Sequence, residues 1–304
     1  MTLAFDLQDV AATEFGVGRD EAGDQVFNLV PVDGDVQAAL QEMATDTREA
    51  MDDLNSDPPK YEPSDKHESA EYVHLPLGDD LATPLRQLHQ ATNIPMDVAA
   101  LSDATKNFCY FAPLTDDQGR HLTAVRRATQ FKGVLKSRLI RLVTDALKII
   151  EDRVFKLDSD FDLLIDDTNV HILRPSGFEF VGKLQDAVLA AAPANVRAIR
   201  RDLPFVDFSE IQEYALAHPR AARYLASIHA QKAAKNIDKR SLKKLCKATG
   251  VEVQDADGKI TVEKDQVMGF LEVLDRRRYE LELVKGSPER FKAASRRKLG
   301  SDAG

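Results

Sequence analysis

The spacing of apolar residues changes along the chain, and this change limits the possible fold class. Around residues 161–172 apolar and polar residues alternate, which is typical of strands with one buried face. After Lys183 the apolar residues recur mostly at helical spacing. Because the two periods are grouped, we predict an α+β class, with a mixed N-terminal α/β domain followed by a β-meander and a helical C-terminal domain.

The first third of the 304-residue chain is predicted to contain short strands and helices. A helix starts at Asp35, and a second helix covers about residues 79–92. The predicted strands cover residues 25–30, 72–77, 107–114 and 122–131. Residues 57–71 contain three prolines and seven charged residues, so we expect an exposed, linker-like loop there.

A helix is predicted in the middle of the chain from periodicity alone. Leu135, Leu139, Leu142 and Val143 recur at helical spacing, which predicts a helix over residues 133–150. Basic residues lie on the opposite face of this helix. We therefore expect an amphipathic helix with a basic outer surface.

The next segment predicts a three-stranded meander. The alternation over residues 161–172 gives two strands around a turn at residues 166–169. Phe178 and Phe180 give the third strand. In this arrangement His171 is expected on the polar side of its strand.

The charge of the chain is divided unevenly between its two ends. Fifty Asp and Glu residues against 41 Lys and Arg residues give a net charge of −9. Residues 1–118 hold 24 acidic and 6 basic residues, a net charge of −18, whereas residues 119–304 have a net charge of +9. We therefore predict an acidic domain over residues 1–118 and a basic domain over residues 119–304.

Several classes of protein are excluded by what the sequence lacks. It has no run of 18 apolar residues and no secretory signal, so we expect a soluble cytoplasmic chain. Cys109 and Cys246 are too few for a disulfide framework or a cysteine-rich zinc site, and Cys109 is expected in the core. Phosphate-binding loops and hydrolase motifs are also missing, so no cofactor and no metal is expected.

Basic residues form three clusters in the second part of the sequence. The first is the stretch from 118 to 144, which contains no acidic residue and seven basic ones. The second lies on a helix that Asp238 can cap, where Leu242, Leu245 and Cys246 are expected to face inward. The third starts at the Arg276–Arg278 run and continues to the C-terminal tail.

Rows of Lys and Arg can neutralise the repeating phosphates of nucleic acid without reading its sequence. No cluster has interleaved aromatic residues, so a duplex backbone is a better ligand than a stacked single strand. A solvated helix face remains the alternative interpretation of each cluster. The predicted DNA-binding residues are Arg126, Arg127, Lys132, Lys136, Arg138, Arg141, Lys235, Lys239, Arg240, Lys243, Lys244 and Lys247.

Carboxylates in the meander leave an enzymatic alternative open. Asp162, Asp166, Glu179 and Lys183 could hold a divalent metal for phosphodiester cleavage. Three residues separate Glu179 from Lys183, whereas nucleases of the PD-(D/E)xK type have one, and the turn itself requires Asp. A third alternative is a non-catalytic module that binds an acidic protein or a membrane surface.

The order of these segments resembles that of a known family. A basic segment ending in Ile149-Ile150 is followed by VFKLDSDFDLLIDDTNVHILRPSGFEFV and, after a helical region, by IDKRSLKKLCK. This pattern resembles the KwaB family of the Kiwa anti-phage defence system, over about residues 120–300.

The resemblance implies a DNA-binding effector of phage defence. Independently of it, the charge pattern favours a non-enzymatic protein over the nuclease alternative, which stays open. The resemblance also implies a membrane protein, KwaA, as partner, and a homodimer or a larger homo-oligomer. The chain would then be cytoplasmic and recruited to the inner membrane by KwaA. From the charge pattern, and not from the resemblance, we expect the acidic N-terminal part to contact partners and the basic part to hold the DNA backbone.

Overall fold

The computed structural model describes residues 3–54, 57–90, 107–128, 140–143, 146–149 and 156–295. The chain forms two compact units. The first contains Met1–Tyr61 and Glu68–Leu184, and the second contains Glu62–His67 and Gln185–Gly304. By sequence, the first unit holds 31 acidic and 17 basic residues, a net charge of −14, and the second holds 19 and 24, a net charge of +5.

An antiparallel sheet is the centre of the first unit. In its described part the sheet has eight strands in the order β3-β2-β5-β6-β9-β10-β4, with β1 also paired to β5. The strands are β1 (Val10–Thr13), β2 (Phe15–Glu21), β3 (Asp24–Val30), β4 (Val73–Pro76), β5 (Asn107–Asp116), β6 (His121–Arg127), β9 (Leu163–Ile165) and β10 (Asn169–Ile172). Two further strands, β7 (Ile140–Val143) and β8 (Ala146–Ile149), form a separate antiparallel pair.

Helix α1 (Gly34–Asp52) belongs to the same hydrophobic core as the sheet. Asp33 caps it by accepting a hydrogen bond from the Val36 backbone N–H at 3.0 Å. Its buried residues include Leu40 and Met43, which share a core with Tyr110 of β5. Two further helices, α2 (Thr83–Gln90) and α3 (Pro175–Val181), complete the first unit.

The predicted helix over residues 133–150 is wrong where the structure describes it. Residues 140–143 and 146–149 are the paired strands β7 and β8, with Ile140 opposite Ile149 and Leu142 opposite Leu147. In these two strands Ile140 and Leu142 flank Arg141, and Leu147 and Ile149 flank Lys148, so apolar and basic residues also alternate at period two. A short apolar segment can satisfy both periods, so periodicity does not decide between them.

The prediction of a third strand in the meander is also wrong. β9 and β10 pair as expected around the 166–169 turn, but the next segment is helix α3. Pro175 occupies the first turn of α3, which favours a helix start. Phe178 is buried and Phe180 is 42% exposed, so the two phenylalanines do not share one buried face.

The second unit is mostly helical. Its helices are α4 (Leu184–Asp202), which begins at the last residue of the first unit, then α5 (Ser209–Ala217), α6 (Pro219–Ala230), α7 (Lys239–Ala248) and α8 (Val267–Leu274). The described side chains of α8 are almost all buried, and α8 contacts α5, α6 and α7. Two hairpins complete the unit: β11 (Gln254–Ala256) with β12 (Lys259–Thr261), and β13 (Arg278–Val284) with β14 (Ser287–Lys292).

The α+β class predicted from the sequence is confirmed. The division between the units falls after Leu184, whereas the charge step in the sequence lies at residue 118. The predicted loop over residues 57–71 contains the segment 62–67, which belongs to the second unit. None of the helices in the described part of the chain has both the length and the apolar character needed to cross a membrane.

Candidate nucleic-acid interface

Helix α7 has an amphipathic sequence with local signals at both ends. Asp238 accepts a hydrogen bond from the Ser241 backbone N–H at 2.9 Å, and hydrogen bonds from the Ser241 side chain and backbone lower the pKa of the Asp238 carboxyl. Gly250 follows the helix with φ +73°, a conformation that favours glycine. Leu242 and Cys246 are buried four residues apart, while Leu245, which was also expected inside, is 39% exposed.

The outward side of α7 carries five cations, which we call the α7 basic face. These residues are Lys239, Arg240, Lys243, Lys244 and Lys247. They lie together because they occupy the helical positions that Leu242 and Cys246 leave open to solvent. The structure thus groups five of the twelve predicted DNA-binding residues on one helix, and Lys235 is exposed on the segment just before it.

Two lysines of the α7 basic face are already paired with a carboxylate. The ammonium groups of Lys239 and Lys243 lie 3.0 and 3.1 Å from Asp255 of β11. Hydrogen bonds from both lysines lower the pKa of the Asp255 carboxyl. Arg240, Lys244 and Lys247, in contrast, are exposed and form no ion pair with any residue that the structure describes.

Three residues of the α7 basic face, Lys243, Lys244 and Lys247, line a groove of about 1020 Å³. Arg290 of β14 adds a cation to it, and its Nε donates to the Ala248 carbonyl at 2.7 Å. The groove lining also contains the carboxylates of Glu252, Glu263 and Asp265. These carboxylates repel phosphate. We therefore expect a phosphate backbone to bind along the exposed surface of α7 rather than deep in the groove.

The predicted DNA-binding residues of the first unit are placed differently. Arg126 is half-buried and pairs with Asp158, Asp160 and Asp162 at 3.4, 3.0 and 2.9 Å. These three carboxylates neutralise its charge within the fold. The Arg127 guanidinium lies over the Phe180 ring, 4.0 Å from the ring centroid.

Of the four remaining predicted DNA-binding residues, the structure describes only the backbone of Arg141. Lys132, Lys136 and Arg138 lie outside the described residues. The backbone of Arg141 belongs to β7, opposite Lys148 of β8. Among the predicted DNA-binding residues, the exposed cations that the structure groups together are therefore those of α7.

The four residues of the nuclease alternative have separate partners. Asp162 accepts from Arg126 and from the Arg127 backbone N–H, and a side chain at Gly177 would come within 2.6 Å of it. Asp166, which directly follows β9, accepts from the turn residues Thr168 and Asn169.

The other two members of that set are engaged elsewhere. Glu179 accepts from the Tyr61 hydroxyl at 2.9 Å, and Lys183 pairs with Asp20 at 3.0 Å. Within the described residues, the structure shows no group of three or more His, Cys, Asp or Glu side chains that could hold a metal ion. The structure thus does not bring these four residues together as a metal centre.

Two polar groups are more buried than the sequence indicated. His171 was expected on the polar side of β10, but it is buried, with Nδ1 2.8 Å from the Tyr72 hydroxyl and Nε2 2.9 Å from Asp166. Arg277, in the middle of the third basic cluster, is fully buried. The sequence does not separate Arg277 from its neighbours, since Asp275 is close to all three arginines along the chain and the other two side-chain partners, Ser64 and Asp65, are more than 200 residues away. Cys109 is buried, as expected, and burial raises the pKa of its thiol.

Comparison with known proteins gives one match. A family model described as "Kiwa protein KwaB-like" matches residues 115–283, which is more than half of the chain. No curated protein matches the chain, and no solved structure does. The matched range includes β6, β9 and β10 of the first unit and all of α7.

Proposed function

This chain belongs to the Kiwa KwaB-like family, and from that premise we propose that it acts in anti-phage defence by binding DNA through the phosphate backbone. The family membership itself implies the defence role. The binding surface that we propose is the α7 basic face. Contact with the backbone alone makes binding independent of base sequence.

The observation that carries the proposal is the set of three cations without an ion pair on α7. Arg240, Lys244 and Lys247 are spaced four and three residues apart, so they share one side of the helix over about 10 Å. Phosphates on one DNA strand advance by about 3.4 Å each along the duplex axis. The three side chains therefore extend over about three such phosphate steps.

The proposal also gives a role to the acidic first unit. Its net charge of −14 makes it a poor ligand for DNA. We assign to it the contacts with other proteins: the membrane protein KwaA of the same defence system, and further copies of this chain. Co-purification with KwaA that is kept when α7 is altered would support this division of roles, and loss of KwaA on altering α7 would contradict it.

A mobility-shift titration with duplex DNA tests the interface. Counterion release predicts that the affinity of the wild-type protein falls by orders of magnitude between about 50 and 200 mM salt. An Arg240→Glu/Lys244→Glu/Lys247→Glu variant is expected to lose most of this binding. The slope of log affinity against log salt should fall by about 0.9 for each phosphate that the variant no longer neutralises.

The matched control changes three exposed arginines of α4 in the same unit. An Arg197→Glu/Arg200→Glu/Arg201→Glu variant alters the net charge equally but leaves α7 intact. It is expected to bind DNA with near wild-type affinity. Equal losses in both variants, or an unchanged α7 variant, would contradict the interface. Binding to phosphatidylserine vesicles without binding to DNA would show that the basic face serves a membrane instead.

A further inference from the structure

A second cation-lined pocket lies in the second unit, apart from the α7 basic face. Its volume is about 570 Å³. It is lined by three segments: residues 63–66, the first turns of α6, and residues 292–294. Four lining residues are cationic, namely Lys66, Arg220, Arg223 and Lys292, and the lining contains one carboxylate, that of Asp65.

Two walls of this pocket are joined by the buried guanidinium of Arg277. It donates to the Ser64 hydroxyl at 2.9 Å, to the Asp65 carboxylate and to the Ala294 carbonyl. The Lys66 backbone N–H also donates to the Ala294 carbonyl at 3.2 Å. The segments 63–66 and 292–294 are therefore held in place without a ligand, so the pocket is preformed.

The charges around the pocket leave a positive excess. The Asp65 carboxylate is paired with Arg277, and the Lys292 ammonium is paired with Glu272. Lys66 and Arg220 are exposed, and neither forms an ion pair within the described part of the chain. Arg223 lies one turn after Arg220 on α6 and lines the same pocket.

We propose that this pocket binds a small phosphorylated molecule of nucleotide size. Lys and Arg side chains recognise phosphate by charge-assisted hydrogen bonds, and the planar guanidinium can donate two at once. A phosphate group alone would leave most of about 570 Å³ empty, whereas a nucleotide has a size typical of such pockets. Pro63, Ala293 and Ala294 provide the apolar lining that the rest of the ligand requires.

Isothermal titration calorimetry on the full chain tests this site with ATP, tripolyphosphate and adenosine as probes. ATP is expected to bind one site per chain, tripolyphosphate to bind more weakly, and adenosine to show no binding. A Lys66→Ala/Arg220→Ala variant is expected to weaken ATP binding by at least tenfold, because it removes two phosphate ligands. An Arg197→Ala/Arg201→Ala variant on α4 serves as the matched control and should bind ATP as the wild type does.

The inference does not depend on DNA binding, and the two can fail separately. Adenosine that binds as tightly as ATP, or ATP affinity that the Lys66/Arg220 variant retains, would overturn the site, as would the absence of ATP binding. If DNA displaces ATP and the same variant weakens DNA binding, the pocket belongs to the DNA surface and the proposal is wrong. The α7 triple variant should keep its ATP affinity whether or not it binds DNA.

Discussion

At the residue scale, three consecutive arginines have three different environments. Arg276 is exposed, Arg277 is fully buried against Asp275 and Asp65, and Arg278 lies 2.8 Å from the buried Glu272. A count of charges along the sequence treats the three residues as equal. Only one of them adds to the charge that the surface presents, because the fold pairs the other two with carboxylates.

Replacing Arg277 is expected to destabilise the second unit strongly. An Arg277→Met variant leaves the buried Asp275 carboxylate without its cation, and breaking such a pair costs about 3–5 kcal/mol. Urea denaturation should show the loss as a lower midpoint. The control is Arg276→Ala, an exposed neighbour, which should stay within about 0.5 kcal/mol of wild type. A stable Arg277→Met variant would show that the buried network is not needed.

The lowered pKa of Asp166 predicts that the stability of the fold decreases at acidic pH. Burial raises the pKa of Asp166, but hydrogen bonds from His171, Thr168 and Asn169 outweigh it and hold the pKa below the ordinary 3.8. A carboxyl with a lowered pKa stabilises the fold above its unfolded-state pKa, and this stabilisation is lost as the pH falls below about 4.

An Asp166→Asn variant measures that contribution. The difference in free energy of unfolding between wild type and variant should be largest near neutral pH and should shrink between about pH 4 and pH 2. Urea titrations at several pH values give this difference directly. A difference that stays constant over the whole range would contradict a role for the charged carboxylate. Tyr72, whose pKa burial raises to about 12, stays neutral throughout.

At the scale of elements, local signals made α7 predictable from the sequence. Its cap, its buried positions and its terminal glycine all lie within 13 residues, so no distant contact is needed to define the helix. The segment over residues 140–149 lacked such signals, and two periods fitted it equally well. The Asp255 ion pairs were not predictable, since they depend on how the β11–β12 hairpin folds back onto α7.

Asp255 limits the positive charge of α7, and removing it is expected to strengthen DNA binding. An Asp255→Asn variant releases Lys239 and Lys243 to bind phosphates. Each additional phosphate that is neutralised should steepen the salt dependence by about 0.9. Asp257→Asn in the same hairpin is the control, because it changes the net charge equally but Asp257 pairs with neither lysine. Equal effects of the two variants would show that only net charge matters.

At the scale of the whole molecule, the sequence predicted the class, and the structural units divide the chain after Leu184 whereas the charge step lies at residue 118. The charge step at residue 118 separates β5 from β6, which are paired neighbours in one sheet. Pairing between strands far apart in sequence, such as β4 with β10, is set by long-range contacts that no local pattern encodes. The two structural units also differ in net charge, which is −14 for the first and +5 for the second.

Hydrogen exchange can locate the DNA contact across the molecule. In the presence of a short duplex, we expect slower exchange in peptides that cover α7, and unchanged exchange in peptides from β5 and β6. Bound DNA limits solvent access and local opening only where it contacts the chain. Protection that is confined to the first unit would contradict the assignment of DNA to the second.

The short segment 62–67 has a consequence for any attempt to divide this chain. It supplies Ser64 and Asp65 to Arg277 although the flanking sequence belongs to the other unit. A fragment that starts at residue 185 would lack these partners, and a fragment that ends at residue 184 would carry them unused. The two fragments, produced separately, should therefore bind each other through residues 62–67. For the same reason, cleavage of the chain after Leu184 should not separate them.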